Sequence, residues 1–454
     1  MSIEAVNPST GDAIRTYDEM TPAQAAACVK QAHEAWRCWR NAPFAERSRP
    51  MKQAAAILRQ RKQEFAGLMA TEMGKPLKQG IAEAEKCAWA CDYYAENAEK
   101  YLLPETVKTD ASTSYVACEP LGVVLAIMPW NFPLWQVFRF AAPALMAGNA
   151  GVLKHASNVP GCALVVEEIF RKAGFPDGVF RTVLIGSSGV KALIEHPLVR
   201  AVTLTGSTPA GKAVAAQAGA VLKKTVLELG GSDPYIVLED ADLDLAVDTC
   251  VTSRLINSGQ SCVNAKRFII VEPLLDAFTA RFVERMKTKK MGDPLVEGTD
   301  VGPQARHDLR DQLHGQVRDS IKRGARLLLG GEIPPGRGAY YPPTVLGDVK
   351  PGMPAYEEEL FGPVAAIIRA RDENDAVRIA NDSIFGLGAA VFTKDNERGE
   401  RVAARLDAGA TFVNTLVASD PRLPFGGNKE SGYGRELSGY GIKEFVNIKT
   451  VYVK

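Results

Sequence analysis

Short apolar runs alternate with longer amphipathic stretches through the middle of the chain. The apolar runs predict buried strands at residues 122–128, 151–154, 179–185, 201–205, 225–229 and 235–238. The stretches between them predict helices at residues 134–146, 161–173, 190–195 and 210–218. Strands and helices that alternate in this way are typical of a doubly wound parallel sheet, which binds nucleotides at the carboxyl ends of its strands.

The first part of the chain predicts helices instead. Residues 21–24 form a capping box with Pro22 in the first helical turn, and an amphipathic helix is expected to continue to about Trp39. Two further helices are predicted at residues 47–73 and 78–103.

Two exposed β segments are predicted outside these regions. Polar and β-branched residues at 106–109 and 114–117 predict a hairpin, and the alternating residues 446–453 predict a strand able to pair with it. An exposed β-arm needs a partner sheet edge to be stable. The arm therefore indicates a homo-oligomer, either a dimer or a tetramer.

A second α/β stretch lies between residue 268 and about residue 412. Its pattern predicts helices at 275–286 and 306–324, strands at 364–369 and 388–392, and a surface loop rich in glycine and proline at 330–343.

Together these segments predict two doubly wound α/β domains and a small β-arm. We expect a cofactor-binding domain at residues 1–103 and 120–229, a catalytic domain at residues 230–430, and an oligomerisation arm at residues 104–119 and 431–454.

Composition narrows the class of function. The chain has 454 residues, and its 54 Lys and Arg are almost balanced by 53 Asp and Glu, so neither a nucleic acid nor an acidic membrane is an expected partner. Residues 1–8 lack a secretory pattern, and the apolar run at 121–128 is too short to span a bilayer. Eight cysteines and five histidines show no metal-ligand spacing. We expect a soluble cytoplasmic enzyme for a small molecule, with no metal.

The candidate nucleophile is Cys262, at the end of the small-residue loop 257–262. A tight loop of this kind can expose a thiol and aim a backbone N–H at a substrate oxygen. A lone cysteine is also often a small buried hydrophobe. Glu228, between apolar strand residues and Gly230-Gly231, is the candidate base, since burial would raise its pKa. The alternative for Glu228 is a strand-end salt bridge.

Six motifs resemble those of the aldehyde dehydrogenase superfamily, in order and over essentially the whole chain. They are Pro129-Trp130-Asn131-Phe132-Pro133, Leu204-Thr205-Gly206-Ser207-Thr208 with Gly211, Glu228-Leu229-Gly230-Gly231, Gly259-Gln260-Ser261-Cys262, Glu359-Leu360-Phe361-Gly362-Pro363-Val364, and Pro424-Phe425-Gly426-Gly427 with Lys429, Ser431 and Gly432. The resemblance implies that Cys262 attacks an aldehyde, that Asn131 and the Cys262 N–H bind the oxyanion, and that Glu228 activates water.

The resemblance also implies a dinucleotide site. Its residues would be Trp130, Gly206, Ser207 and Leu229, Glu359 and Phe361 near the nicotinamide and its ribose, and Lys154 near the adenosine ribose. Many NAD-preferring members have a glutamate where this chain has Ser157. Because that glutamate would repel a 2′-phosphate and a serine would not, we expect NADP to be preferred and NAD to be a weaker cofactor. A loop serine can also be merely polar surface.

The resemblance also indicates the substrate. In the fold that it implies, the helix after Asn131 lines the substrate tunnel, so Arg139 would place a guanidinium in an apolar passage. A buried cation requires an anion, and guanidinium groups suit carboxylates. Trp135, Ser261 and Ser419 would complete the site. The chain thereby resembles the branch of the superfamily that oxidises succinic semialdehyde. The alternative for Arg139 is a surface or intersubunit salt bridge.

Three other functions stay open at this point. The first is oxidation of another small aldehyde, such as glutarate semialdehyde. The second is transfer of the acyl group to coenzyme A, which Glu228 disfavours because that reaction needs no water-activating base. The third is a catalytically silent structural protein, which the presence of Cys262, Glu228 and Asn131 disfavours.

Overall fold

The computed structural model describes residues 2–454. Its helices are α1 (Pro22–Trp39), α2 (Phe44–Gln60), α3 (Lys62–Met73), α4 (Leu77–Leu102), α5 (Trp135–Met146), α6 (Pro160–Lys172), α7 (Val190–Glu195), α8 (Thr208–Ala220), α9 (Leu243–Leu255), α10 (Leu275–Lys287), α11 (His307–Lys322), α12 (Pro354–Glu357), α13 (Glu373–Asn381), α14 (Asn396–Ala403) and α15 (Ser438–Gly441).

Its strands are β1 (Ser2–Val6), β2 (Ala13–Asp18), β3 (Glu105–Thr106), β4 (Thr113–Pro120), β5 (Val123–Met128), β6 (Ala150–His155), β7 (Phe180–Thr182), β8 (Val199–Thr205), β9 (Lys224–Glu228), β10 (Asp233–Val237), β11 (Ala265–Val271), β12 (Arg326–Leu329), β13 (Thr344–Gly347), β14 (Val364–Ala370), β15 (Phe385–Gly386), β16 (Gly388–Phe392), β17 (Ala410–Val413), β18 (Asn428–Lys429), β19 (Gly432–Tyr433) and β20 (Val446–Val453).

The first large sheet has six strands in the order β19-β9-β8-β5-β6-β7. All neighbours run parallel except β19, which is antiparallel to β9. In β5, Val124 and Ala126 face one core and Val123 and Leu125 face another, as the alternation of side chains along a strand requires. Because helices cover both faces, the predicted doubly wound sheet is confirmed.

The second large sheet has seven strands in the order β12-β13-β14-β11-β10-β16-β17. Only the pairing of β12 with β13 is antiparallel. Its two faces also bury separate cores: Ile269 of β11 belongs to one and Phe268 to the other. The chain thus forms two sheets of the α/β class, as expected.

A third sheet joins the chain end to the predicted hairpin. β20 pairs antiparallel with β4 over eight residues, from Val446 opposite Pro120 to Val453 opposite Thr113, and β3 lies on the other side of β4. The predicted pairing of the last strand with the hairpin is therefore confirmed.

Two local predictions were wrong, and one element was not predicted. The helix predicted at 47–73 is two helices, because the backbone of Arg61 (φ −105°, ψ 16°) leaves helical geometry between α2 and α3. The strand predicted at 179–185 is limited to β7, the edge strand of its sheet. The hairpin of β1 and β2 was not predicted at all.

Within residues 2–454, no helix is long and apolar enough to cross a membrane.

Candidate active site

A cleft of about 420 Å³ opens at the carboxyl ends of β5, β8 and β9. Adjacent parallel strands end at one edge of a sheet, so the residues that follow them meet there. The residues that follow these strands and line the cleft are Pro129, Trp130, Asn131, Gly206, Ser207, Leu229 and Gly230. Cys262, just before β11, and Glu359 and Phe361, just before β14, line the same cleft. Segments distant in sequence therefore meet here.

The loop at residues 256–262 has an uncommon backbone conformation. Asn257 and Ser258 adopt left-handed φ values of 54° and 55°. Such a conformation costs a non-glycine residue about 1–3 kcal/mol and persists only where the surroundings hold it. Here the Ser258 hydroxyl accepts a hydrogen bond of 2.8 Å from the N–H of Gly302. The loop is therefore held rigidly in front of β11.

Gly259 packs against the segment that carries Glu359 and Phe361. Its φ is 80°, and a Cβ atom placed on it would lie 2.1 Å from the carbonyl carbon of Gly362. No side chain fits in that space, so only glycine permits the two segments to touch.

Asn131 is tied to the same loop. Its Nδ2 donates to the carbonyl of Gln260 at 3.1 Å, and Nδ2 of Asn257 donates to the carbonyl of Asn131 at 2.6 Å. A side-chain amide has two N–H groups, so one remains available to a ligand. The backbone N–H of Cys262 has no acceptor within the described chain. These two donors match the predicted oxyanion site.

Burial controls the acidity of Cys262. Loss of solvent raises the pKa of its thiol to about 11, against the opposing effects of Arg139 and Lys266. The Lys266 ammonium also donates to the carbonyls of Ser261 (3.0 Å) and Cys262 (2.8 Å). The thiol is therefore protonated near neutral pH, and its attack on a substrate requires a base.

Glu228 is buried at the end of β9. Burial raises the pKa of its carboxyl well above the usual range, and the nearby Glu436 raises it further. Neither carboxylate oxygen has a hydrogen-bond partner within residues 2–454, and a Cβ atom on Gly426 would lie 2.7 Å from Oε1. Leu229 lines the cleft but Glu228 does not. The structure brings Cys262 and Asn131 together in the cleft lining, whereas Glu228 lies outside that lining.

Arg139 is buried in an ion pair that the sequence did not reveal. Its Nε contacts Oε2 of Glu436, and its Nη2 donates to Thr205 Oγ1 at 3.3 Å. The ring of Phe425 lies 4.5 Å from the guanidinium carbon. We expected a buried cation in an apolar passage, and the structure adds an internal carboxylate that balances its charge.

A second cavity, the substrate channel, has a volume of about 290 Å³. Its lining includes Cys262 and all four predicted substrate residues, which are Trp135, Arg139, Ser261 and Ser419. Apolar side chains such as Phe132, Val263 and Phe425 provide most of the rest. Cys262 thus lies on a wall shared by the cleft and the channel.

The cleft offers groups suited to a dinucleotide. Ser207, the N-cap of α8, makes no side-chain cap, which leaves first-turn N–H groups free for a pyrophosphate. Trp130 and Phe361 meet edge to face at 5.7 Å. Glu359 is held by the N–H of Gly231 (3.1 Å) and by the ammonium of Lys266 (3.0 Å), with one oxygen left for a ribose hydroxyl.

The two residues predicted to select the cofactor lie apart from this cleft. Ser157 is exposed and lines a cavity of about 520 Å³ with Gly186 and Arg306. Lys154, at the end of β6, has no hydrogen bond or ion pair within the described residues, and burial lowers its pKa. Such an unpaired cation fits a phosphate group.

Sequence reasoning missed three charged residues of the site. Glu436 pairs with Arg139, Lys266 holds the loop of the nucleophile, and Lys86 lines the substrate channel. The Gly434-Arg435-Glu436 segment follows the last matching motif, which gave a weak signal for Glu436. Lys86 lies within a long helix whose other lysines are solvent-facing or paired, so nothing in the sequence separated it from them.

A dinucleotide-type cleft at the carboxyl ends of a parallel sheet, with a cysteine on its wall, is typical of one class, namely dinucleotide-dependent oxidoreductases that act through a cysteine. The chain belongs to the aldehyde dehydrogenase family, whose model matches residues 1–451. A protein of Synechocystis sp. named "Probable succinate-semialdehyde dehydrogenase (NADP+)" is 50% identical over 453 residues, covering 100% of both chains.

Two further comparisons agree. The succinate-semialdehyde dehydrogenase (NADP+) of Mycolicibacterium paratuberculosis is 49% identical over 457 residues, which cover 100% of this chain and 97% of the relative. The crystal structure of succinic semialdehyde dehydrogenase from Streptococcus pyogenes in complex with NADP+ superposes with a TM-score of 0.97 at 37% identity, covering 99% of each chain.

Proposed function

We propose that this protein oxidises succinic semialdehyde to succinate with NADP as the electron acceptor. The observation that carries the proposal is the position of Cys262, on the wall between a dinucleotide-type cleft and a channel that contains both cations and apolar surface. A short aldehyde with a distal carboxylate suits that channel, because its carbon chain is apolar and its far end is an anion.

In the first step the Cys262 sulfur attacks the aldehyde carbon. The thiol proton must leave, and Glu228 accepts it after its carboxylate turns into the cleft. The aldehyde oxygen becomes an oxyanion, which Asn131 Nδ2 and the Cys262 N–H stabilise by hydrogen bonds. A dinucleotide held beside Glu359 and Phe361 would supply the hydride acceptor, and loss of hydride from the former aldehyde carbon would leave a thioester on Cys262.

Hydrolysis completes the turnover. Glu228 first releases the thiol proton to solvent, and it then takes a proton from water as the water oxygen attacks the thioester. The same two donors stabilise the second oxyanion. The C–S bond then breaks, the carboxylic acid leaves, and Glu228 returns its proton to the sulfur. Both steps need the ionised form of Glu228. Burial opposes that form by raising the pKa of the carboxyl, so rotation into the cleft favours its ionisation.

The carboxylate of the substrate is proposed to lie beside Trp135, Arg139 and Ser419 at the end of the channel away from Cys262. All three line the cavity. Ser261, next to the nucleophile, lines it as well and completes the proposed site.

NADP is the proposed cofactor for two reasons. Ser157 offers a hydroxyl with no carboxylate at that position, and Lys154 offers an unpaired ammonium. Both are groups that a 2′-phosphate requires. The names of the relatives from Synechocystis and Mycolicibacterium carry the same cofactor.

We also propose that the protein is a cytoplasmic homo-oligomer that associates through the sheet of β3, β4 and β20. All eight cysteines are free thiols, which is typical of a reducing compartment. Ile448 and Tyr452 on β20 are exposed apolar side chains, 65% and 46% accessible. A partner would cover them.

The experiment that tests the function compares two aldehydes and two cofactors. We expect kcat/KM for succinic semialdehyde to exceed that for butanal, which has the same number of carbons without the carboxylate, by about 30-fold or more. Reduced cofactor is followed by absorbance. Equal efficiencies would contradict the proposed substrate, a higher efficiency with glutarate semialdehyde would replace it, stimulation by coenzyme A would indicate acyl transfer, and no turnover would indicate a silent protein.

Substitution of Ser157 tests the cofactor. Ser157→Glu should lower kcat/KM for NADP+ by about 100-fold, because two negative charges repel each other at close range, and should leave NAD+ oxidation almost unchanged. Ser157→Ala is the matched control that removes the hydroxyl without adding charge. Equal losses with both cofactors would contradict this role of Ser157.

A further inference from the structure

The substrate channel contains two cations, and only one of them is neutralised. Arg139 has its positive charge balanced by Glu436 in a buried ion pair. Lys86 also lines the channel, and no carboxylate lies within 4.0 Å of its ammonium in the described residues. Glu83, the acidic residue of the lining, is itself paired with Lys75, so the net positive charge of the channel comes from Lys86.

Lys86 is held in place by neighbouring groups. It projects from α4, its Nζ donates to the Ser419 hydroxyl at 2.8 Å, and it lies 4.5 Å from the centre of the Trp135 ring. Burial and the nearby Arg139 lower its pKa to about 8. Since that value is above neutral pH, the ammonium is still charged there, at a cost that a bound anion would remove.

The contact with Ser419 leaves suitable donors for such an anion. An ammonium has three N–H groups, and only one is used on Ser419. The Ser419 oxygen accepts from Lys86, so the hydroxyl hydrogen is free to point into the channel. The two side chains together present a charged donor and a neutral donor, which suits the two oxygens of a carboxylate.

We propose that Lys86, with Ser419, is the residue that selects aldehydes bearing a carboxylate. The ammonium forms an ion pair with the distal carboxylate of the substrate, while Arg139, balanced by Glu436, shapes the adjacent wall. This inference rests on the proposed oxidation of succinic semialdehyde and names a specificity residue for it.

The test uses Lys86→Met, which keeps the length and apolar stem of the side chain and removes the charge. We expect kcat/KM for succinic semialdehyde to fall by about 30-fold or more and kcat/KM for butanal to change by less than about threefold. Lys86→Arg should recover part of the lost efficiency. Lys100→Met is the matched control, since Lys100 is an exposed lysine on the same helix, and it should change neither value.

A second measurement does not depend on succinic semialdehyde turnover. With butanal as substrate, succinate should inhibit the wild type competitively against the aldehyde, and Lys86→Met should raise its inhibition constant by a similar factor. Unchanged inhibition, or equal losses for both aldehydes, would overturn the role of Lys86.

The two proposals fail in different ways. If the wild type shows no preference for succinic semialdehyde over butanal, the proposed function is wrong. If the wild type has that preference and Lys86→Met retains it, the function stands and the inference about Lys86 is wrong.

Discussion

At the scale of single residues, the site is dominated by buried charge. Glu228, Glu436 and Arg139 are all almost inaccessible to solvent. Arg139 stabilises the charged form of Glu436, whereas burial raises the pKa of both carboxyls. A buried ion pair contributes little net stability compared with an apolar pair, but removal of one partner leaves an uncompensated charge.

This cluster predicts non-additive substitutions. Arg139→Met should lower the free energy of unfolding by about 3–5 kcal/mol, because it leaves Glu436 buried without a cation. The double variant Arg139→Met/Glu436→Gln should recover most of that loss. Urea unfolding of the two single variants and the double variant measures the coupling. Losses that simply add would show that the pair does not act as a unit.

The same cluster shows what the sequence could predict at this scale. The expected position of Arg139 combined its helical spacing to Asn131 with the fold that the family resemblance implies. The ion-pair partner of Arg139 could not be predicted, because Glu436 is distant in sequence and comes close to Arg139 only in the folded chain. Lys86 was missed for the same reason, as its contact Ser419 lies 333 positions away.

At the scale of elements, the loop of the nucleophile and the segment before β14 behave as one unit. They touch at Gly259 and Gly362, and Lys266 links them again through its ion pair with Glu359. A shift of the segment proposed to hold the nicotinamide ribose would therefore also shift the loop that carries the thiol.

Gly259→Ala tests this contact. The new Cβ would lie 2.1 Å from the carbonyl carbon of Gly362, and φ is 80°, so the two segments must separate. We expect a lower kcat together with a higher KM for the cofactor, as well as a lower melting temperature. Gly67→Ala is the control: it lies in α3 with open space around its Cβ position, and should stabilise the protein by about 0.5–1 kcal/mol. Unchanged cofactor KM in Gly259→Ala would contradict the coupling.

Element boundaries were predictable where a local signal exists. The Thr21 capping box sets the start of α1, and the bounds of α7 and β16 agree with the apolar pattern. The break between α2 and α3 at Arg61 contains neither proline nor glycine, so no local residue type indicates it. The hairpin of β1 and β2 was missed because most of its side chains are exposed and give no clear alternation.

At the scale of the whole molecule, the last strand completes a sheet begun far earlier in the chain. β20 covers one edge of β4, while its own outer edge and the side chains of Ile448 and Tyr452 are left exposed. Ile448 and Tyr452 are four positions apart in one strand, so their side chains point to the same face of the sheet. The oligomer proposed above would bury this face.

Ile448→Glu should therefore shift the protein to a smaller species in analytical ultracentrifugation without unfolding it, because a charge would enter the proposed interface. Val296→Glu is the control, since Val296 is 58% exposed in a loop outside the arm. An unchanged sedimentation coefficient for Ile448→Glu would place the interface elsewhere.

The shared wall at Cys262 has a consequence for the order of events. Because Cys262 lines both cavities, the proposed nucleophile borders two spaces with largely different linings. In the proposed mechanism, the reduced cofactor would leave from the cleft while the acyl group stays attached to the sulfur. The thioester would then persist after the cofactor has left, and water would enter the vacated space.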